Sequence, residues 1–322
     1  MRVGGRAEWL VEPARPEEFA AAWRLACELG LSRRVLGGGA NLIIEDGLHE
    51  GVVFATDRMA RLFRPGRDVE GSAFEATGDA TGHPGLQARP EAHEGEPLFV
   101  AWAGQGMPGL VRAARDLAWT GLEGLVGVPG QVGGGVAMNA GGRWGELWDV
   151  VERVHLLTPE GELIERERAA CSPGYRDANL DGHVVMGAAL RLAHGNRAAI
   201  HEEMRQYLSE KSAVQPVTER SCGCIFRNPD PELSDGRSAG QLVDQCGGKG
   251  MTEGDAIVSP KHGNFIVNRG RARSADVLRL IERVERLVED RTGVRLHREA
   301  KAWSAGGGPT SQVHPQTDSV HG

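Results

Sequence analysis

A glycine-rich stretch from Gly121 to Gly145 constrains the fold of this chain more than any other part of its sequence. It reads GLEGLVGVPGQVGGGVAMNAGGRWG, with apolar residues between the glycines and almost no charge before Arg143. Glycine loses much conformational freedom on folding, so this density is unfavourable in an ordinary helix or strand. Flexible linkers are polar and serine-rich, whereas this stretch is apolar and contains a Pro129–Gly130 turn. The pattern therefore predicts ordered backbone that lies against a ligand.

Two shorter glycine clusters precede this stretch. The first, Gly37–Gly39, follows the apolar Val35 and Leu36 and leads into a second apolar segment, which predicts a strand, a glycine turn and another extended segment. The second, Gly104–Gly109, fits G-x-G-x-x-G after a predicted strand at residues 98–103. Alone it would suggest a Rossmann dinucleotide site. Because the surrounding chain lacks repeated β-α-β units, we interpret it as part of another nucleotide-binding domain.

Length, charge and cysteine content exclude several classes of protein. The 322 residues favour two or three domains, and the net charge of −7 argues against a nucleic-acid-binding protein. No run approaches the ~18 apolar residues of a membrane span. Residues 1–5 lead into no apolar run, so we expect no signal peptide. Five cysteines at irregular spacing do not indicate a disulfide framework, so we predict a cytoplasmic enzyme, with a monomer as the expected state.

The two main glycine clusters resemble those of the UDP-N-acetylenolpyruvoylglucosamine reductase family, flavoenzymes of bacterial cell-wall synthesis. In that family the first loop reads LGGGSNL, and the second reads GIPGTVGG followed by MNAG; here Ala40 and Gln131 replace the serine and the threonine. Further matches in the same order are YRDAN at 175–179, CGCIFRNP at 222–229, AGQLVD at 239–244 and HGNFIVN at 262–268. The QP pair at 215–216 resembles the smaller branch of the family, which lacks an extra substrate loop.

The resemblance implies an α+β fold with a two-part FAD-binding domain of the PCMH/VAO type and a C-terminal α+β substrate domain. It places the first FAD-binding part at residues 1–60 and the second at 61–198, with the substrate domain at 199–292. A closing strand within 293–304, at Val294–Glu299, would return to the first part. The composition of Arg64–Pro97 predicts an exposed insertion, and residues 305–322 are predicted to be a disordered tail.

The resemblance also implies that FAD is the cofactor and that both glycine loops bind it. The first loop would surround the pyrophosphate and the second would run along the cofactor. The predicted cofactor-binding residues are Gly37, Gly38, Gly39, Ala40, Asn41, Leu42, Gly127, Pro129, Gly130, Val132, Gly133, Gly134, Asn139 and Gly141.

By the same resemblance the reaction is the NADPH-dependent reduction of a double bond conjugated to a carboxylate, in the enolpyruvyl ether of UDP-N-acetylglucosamine. Such a reaction requires cations or donors at the carboxylate and an acid that protonates the adjacent carbon. Arg176 would bind the carboxylate, since a guanidinium matches it with paired donors. Glu299, if protonated, would donate to the developing enolate. Cys224 occupies the position of the family's proton-donating serine, and a thiol can serve the same role.

Tyr175, Arg227, Asn228 and Asn264 lie in motifs that the family uses at its nucleotide-sugar pocket, and they are predicted to bind substrate. Cys222 and Cys224, with Cys246 and His262, could also supply four zinc ligands. Their spacing is not a recognised zinc pattern, and each falls within a flavoenzyme motif, so we predict no metal.

Two alternative functions remain open from the sequence. One is a flavin oxidase or dehydrogenase of the same fold that acts on another substrate. The other is a non-catalytic flavin or redox sensor, in which Cys222 and Cys224 form a reversible link. Retention of Arg176 and Glu299 argues against a sensor, because a sensor does not need an acid beside a carboxylate-binding arginine.

Overall fold

The computed structural model describes residues 1–64 and 96–305. The chain begins with a three-stranded parallel sheet, in the order β1-β4-β2, covered by one helix. Pro16 starts this helix, where its missing N–H costs nothing, and Phe19 and Trp23 bury the face that packs on the sheet. The elements are β1 (Arg6–Val11), α1 (Pro16–Glu28), β2 (Arg33–Leu36), β3 (Leu42–Ile44) and β4 (Leu48–Ala55).

A second sheet of five strands, in the order β11-β10-β12-β6-β5, follows. Every neighbouring pair in it is antiparallel, so it is not the parallel sheet of a Rossmann domain. Its strands are β5 (Leu62–Phe63), β6 (Leu98–Trp102), β10 (Val151–Leu157), β11 (Leu163–Glu167) and β12 (Val184–Arg191). The elements between β6 and β10 are α2 (Met107–Asp116), β7 (Trp119–Thr120), α3 (Val132–Ala137), β8 (Gly141–Gly142) and β9 (Gly145–Glu146).

The two sheets share one apolar core. Phe19 and Phe54 from the first sheet and its helix pack in the same cluster as Val100, Trp102 and Met186 from the second. The opposite face of the second sheet packs against α2 and α3 in a separate, larger cluster. The first two parts of the chain therefore form one body, which brings their glycine loops to a common surface.

The C-terminal part is a small sheet packed on helices. A two-residue strand, β13 (Ala193–His194), pairs with β7 and precedes the long helix α4. The remaining elements are α4 (Arg197–Val214), α5 (Pro231–Ser234), α6 (Ala239–Gln245), β14 (Thr252–Glu253), β15 (Ala256–Val258), β16 (Ile266–Asn268), α7 (Ser274–Thr292) and β17 (Lys301–Trp303). Gly293 follows the last residue of α7, and its φ of 73° suits the left-handed position after a helix.

The closing strand lies within the predicted range of residues 293–304, as Lys301–Trp303, but not at the predicted Val294–Glu299. Residues 294–299 form no strand, and the parallel pairing with β3 is made by Lys301–Trp303 instead. The side chains of Val294 and Leu296 are buried in the C-terminal core, so their apolar alternation reflects packing rather than a ladder. Residues 65–95 of the predicted insertion and residues 306–322 of the predicted tail lie outside the described residues.

Candidate active site

The first glycine loop connects β2 to β3 and meets the second loop directly. A Cβ on Gly38 would lie 2.9 Å from the Gly130 Cα, so the two backbones approach as closely as glycine allows. Gly39 has a φ of 61° and turns the chain toward β3. Within the described part of the chain, the amides of residues 38–40 have no hydrogen-bond acceptor. Such unpaired N–H groups form a site that favours an anion such as a pyrophosphate.

The second glycine loop runs from Gly127 into the short helix α3. Gly127 and Gly130 have φ values of 76° and 99°, which side-chain-bearing residues rarely adopt. The G-x-G-x-x-G segment lies directly behind this loop. The amide of Met107 donates to the Gly130 carbonyl at 2.9 Å, and that of Val132 donates to the Gln105 carbonyl at 2.8 Å. The motif therefore supports the second loop, as expected for a part of the same domain.

Gln131, which replaces the family's threonine, joins the two halves of the glycine-loop surface. Its Oε1 accepts from the Thr56 hydroxyl at 2.7 Å, and its Nε2 donates to the Asp57 carboxylate at 2.8 Å. Thr56 and Asp57 directly follow β4 of the first sheet. This bridge was not predictable from the sequence, because no local spacing links residues that lie 74 or 75 positions apart.

Both predicted cofactor-binding asparagines also have hydrogen-bond partners in the protein. Asn41 Nδ2 donates to the Glu299 carbonyl at 3.2 Å. Asn139 Nδ2 donates to Glu146 Oε2 at 2.7 Å and to the Gly174 carbonyl at 3.2 Å. These amides therefore connect the glycine loops to the segments that carry the predicted catalytic residues.

The meeting loops fit FAD. They combine unpaired amides at residues 38–40 with open space over Gly134, where a Cβ would have no neighbour within 4 Å. Side-chain-free backbone of this kind admits a dinucleotide to close contact, and its amides match the charge of the pyrophosphate.

Replacement of Gly38 by alanine tests this assignment. The new Cβ would lie 2.9 Å from the Gly130 Cα, so the two loops must separate. Overpacking of this kind costs about 1–3 kcal/mol, and the same cost in the FAD complex corresponds to about 5- to 150-fold weaker FAD binding. Titration of apoprotein with FAD would measure it. Gly142→Ala is the control, since its Cβ meets open space. Unchanged affinity in Gly38→Ala would contradict the contact.

Arg176 lies at the centre of a network that joins the glycine-rich stretch to the C-terminal part. Its Nε donates to Glu299 Oε1 at 3.0 Å. Its Nη1 and Nη2 donate to the carbonyls of Asn139 and Gly141 at 3.2 and 2.9 Å. The residue has a φ of 57°, a strained value for arginine that these contacts help to hold. The guanidinium is thus fixed, with N–H donors to spare.

Glu299 is the partly buried partner of Arg176, with 11% of its side chain exposed. Its amide donates to the Ile225 carbonyl at 2.7 Å, which fixes it beside the Cys224 segment. Burial raises the pKa of the Glu299 carboxyl, although the charge of Arg176 opposes this shift. The carboxyl therefore holds a proton to higher pH than an exposed glutamate does.

Cys224 lies on the segment that crosses from the C-terminal core to Glu299. Gly223, with a φ of 79°, turns the chain just before it, and Cys224 forms a bridge with Phe265. Burial, and then the negative charge of Glu299, raise the pKa of the Cys224 thiol to about 12. The thiol is therefore protonated throughout the physiological range. The structure thus brings all three predicted catalytic residues together.

The predicted substrate-binding residues differ in where they point. Tyr175 is 54% exposed. Its ring lies beneath the Arg176 guanidinium, and the Arg176 Cζ is 5.0 Å from the centroid of that ring. Burial raises the pKa of both Glu299 and Tyr175, and the charge of Arg227 is near enough to lower the pKa of both. Asn264 is buried and uses both ends of its amide on the backbone of Phe226, at 2.8 Å each. Asn228 Oδ1 accepts from the Ala239 amide at 3.2 Å. These two asparagines shape the segment after Cys224.

Glu146 is a site residue that sequence reasoning missed. Besides the bond from Asn139, its Oε1 lies 3.9 Å from Arg176 Nη1, so Arg176 faces two carboxylates. Glu146 also caps the turn at Leu147–Asp149 by a reciprocal pair of hydrogen bonds with Asp149. This N-cap pattern was the available signal, but it indicates a turn and not a site.

The described residues also bear on the metal and membrane alternatives. Within residues 1–64 and 96–305, no group of three or more His, Cys, Asp or Glu side chains is arranged to hold a metal ion. The five cysteines are all free. No helix in these ranges combines the length and the apolar character needed to cross a bilayer.

The fold and the site together define an FAD-dependent oxidoreductase, with a two-part FAD-binding domain of the PCMH/VAO type and a C-terminal α+β domain. Sequence comparison agrees: a model described as an FAD binding domain matches residues 91–166. Another, described as the C-terminal domain of UDP-N-acetylenolpyruvoylglucosamine reductase, matches residues 215–303. The chain belongs to the UDP-N-acetylenolpyruvoylglucosamine reductase family. This confirms the predicted family, the fold class and the FAD cofactor.

Individual relatives match over most of their length. A UDP-N-acetylenolpyruvoylglucosamine reductase of Deinococcus radiodurans is 36% identical over 305 residues, which cover 94% of this chain and 91% of the relative. One of Synechococcus elongatus is 38% identical over 306 residues, covering 93% and 89%. The crystal structure of the Thermus caldophilus reductase superposes with a TM-score of 0.70 at 34% identity, covering 94% of both chains.

Proposed function

We propose that this chain reduces UDP-N-acetylglucosamine enolpyruvate to UDP-N-acetylmuramate, with FAD as cofactor and NADPH as reductant, in peptidoglycan precursor synthesis. The observation that carries the proposal is the convergence of Arg176, Glu299 and Cys224 beside the glycine loops. An anchored cation, a carboxyl of raised pKa and a protonated thiol are the groups that an enolpyruvyl reduction requires. The family membership supplies the substrate.

The meeting loops around Gly38 and Gly130 would hold FAD, which supplies the two-electron transfer from the nicotinamide to the double bond. Asn41 and Asn139 would align this surface with Glu299 and Glu146 through the hydrogen bonds described above. The protein's own task is then to bind the carboxylate, stabilise its developing charge, exclude water and supply a proton.

Arg176 would bind the substrate carboxylate with the N–H donors that its three hydrogen bonds to the protein leave free. Because those contacts fix the guanidinium in advance, little reorganisation is needed as negative charge develops. Tyr175, stacked against this cation, would close one side of the carboxylate pocket.

Glu299 would donate a hydrogen bond from its protonated carboxyl to the substrate oxygen that gains charge. Arg176 donates to Oε1, and the Tyr175 side chain also bonds to this carboxyl, so the group is held in place at the site. The raised pKa of Glu299 keeps a larger protonated fraction near neutral pH than an exposed carboxyl would have.

Cys224 would deliver the proton to the carbon adjacent to the carboxylate. The thiol S–H bond breaks, a C–H bond forms, and the resulting thiolate regains its proton from solvent before the next turnover. A thiol pKa of about 12 ensures that the group starts each turnover protonated. The high pKa also makes the thiolate short-lived.

The proposal extends to the rest of the chain. Arg227 would bind the diphosphate, with Asn228 and Asn264 at the same pocket through the segment they shape. We assign residues 1–60 with the closing strand, and 61–198, to the cofactor, and 199–292 to the substrate. A monomer in the cytoplasm fits this role, since its five free cysteines suit a reducing compartment.

The absorption spectrum of the purified protein, recorded anaerobically with NADPH and then with the enolpyruvyl sugar nucleotide, tests the proposal. Flavin bands should bleach with NADPH and return with the substrate. Bands that bleach but do not return would favour another substrate or a sensor. A protein that cannot be reconstituted with FAD would overturn the cofactor assignment as well.

A further inference from the structure

Lys211 is a buried lysine on α4, the helix that leads into the C-terminal part of the chain. Only 9% of the residue is exposed. Its Nζ donates to the carbonyls of Gly124 and Val126 at 3.0 and 2.7 Å. Among the described residues, no charged group offsets the effect of burial on its pKa. Burial lowers the pKa of Lys211 to about 8. Burying a cation without a paired charge costs free energy, so a lysine at this position suggests a specific role.

The two carbonyls belong to the turn that opens the second glycine loop. Gly124 and Val126 flank Leu125 at the end of a short helical turn, and Gly127 follows with its φ of 76°. The Lys211 side chain lies against this glycine, since a Cβ there would be 3.8 Å from Lys211 Cδ. Lys211 therefore fixes the point at which the chain enters the cofactor loop.

The same face of α4 also holds the hairpin that carries the Arg176 contact. Lys211 Nζ lies 5.2 Å from the centroid of the Trp144 ring, and Tyr207 stacks on that ring at 5.1 Å. Trp144 lies between β8 and β9, and the carbonyl of Gly141 in β8 accepts from Arg176 Nη2 at 2.9 Å. One lysine thus touches both the entrance of the cofactor loop and the hairpin behind the predicted catalytic arginine.

We propose that Lys211 is a positioning residue for cofactor binding: it fastens the FAD loop and the Arg176 hairpin to the helix that leads into the substrate domain. Because α4 continues into the C-terminal part, the position of that part and the shape of the cofactor loop become linked. The proposal rests on the FAD assignment and not on the identity of the reduced substrate.

The test compares FAD affinity in four variants by fluorescence titration of apoprotein. Lys211→Met keeps the volume but removes both donors, and loss of such bonds corresponds to roughly ten- to hundredfold weaker FAD binding. Lys211→Arg keeps charge and donors and should recover most of the affinity. Lys211→Gln keeps an uncharged donor and should be intermediate. Lys249→Met is the control, because Lys249 forms an exposed pair with Asp244.

The outcome separates positioning from packing. Wild-type affinity in Lys211→Met would overturn the proposal. So would an equal loss in Lys211→Met and Lys211→Arg, accompanied by equal losses of apoprotein stability in urea. If Lys211→Met does not fold, the test is whether FAD affinity falls in the order wild type, Lys211→Arg, Lys211→Gln. A Lys211→Gln variant that binds FAD as tightly as wild type would overturn the proposal. The titration contains no sugar nucleotide, so its result does not depend on which substrate the enzyme reduces.

Discussion

Arg176→Lys is expected to lower kcat/KM for the enolpyruvyl substrate by on the order of 10²–10³-fold, the range found when one preorganised donor to a developing oxyanion is removed. Lysine keeps the positive charge but offers a point charge in place of a planar fork. It cannot hold Glu299, Asn139 and Gly141 while also presenting free donors to a carboxylate. The measurement is steady-state kinetics on flavin-loaded protein.

The matched control for this variant is Arg153→Lys. Arg153 lies on β10 and forms exposed pairs with Glu165 and Glu167, far less constrained than the Arg176 network. Surface pairs contribute only about 0–1 kcal/mol, so activity should be unchanged. The visible flavin spectrum of both variants shows whether the protein still binds FAD when the contact between Arg176 and the β8–β9 hairpin is changed. An Arg176→Lys enzyme with kcat/KM close to wild type and a normal spectrum would show that Arg176 is structural only.

The local features of this fold were predictable because they are written in short segments. The composition of the glycine loops at 37–39 and 127–134 is enough to predict unusual backbone. The apolar periodicity of α1 and α7 predicts these two helices. The closing strand was not predictable in this way. Residues 294–299 alternate apolar and polar side chains and look like a strand, yet the ladder forms two residues later, where β3 offers a partner. Whether a segment pairs into a sheet depends on the neighbouring strand, and the segment's own sequence does not identify that neighbour.

The candidate site was predictable only where a motif names its residues. Arg176, Cys224 and Glu299 each fall in a recognisable segment, although nothing in their spacing shows that the three meet. Gln131, Glu146 and Lys211 were missed, since each acts through a contact with a distant backbone or side chain. Lys211 in particular sits in an exposed-looking polar helix, and only the fold reveals that its amine is buried against Gly124 and Val126.

Cys224→Ala is expected to lower turnover by roughly 10²–10⁴-fold, the usual contribution of a positioned general acid. Cys224→Ser should retain most of the rate, because a hydroxyl also donates a proton from this position. In Cys224→Ala, NADPH should still bleach the flavin bands, whereas their return on addition of the sugar nucleotide should be slow. Rapid mixing measures the two half-reactions separately, so the defect can be assigned to the step that needs the proton.

The raised pKa of Cys224 gives a second, independent readout. The folded thiol keeps its proton up to about pH 12, whereas an exposed thiol loses it near pH 9. The stabilising effect of this protonation is fully present below pH 9 and is lost as the pH rises toward 12. Wild type should therefore lose stability relative to Cys224→Ala across that interval, and iodoacetamide should modify Cys224 slowly at pH 8. Fast alkylation at pH 8, or wild-type turnover in Cys224→Ala, would show that this cysteine is not the protonated acid, and the proton would then have to come from another group near Glu299.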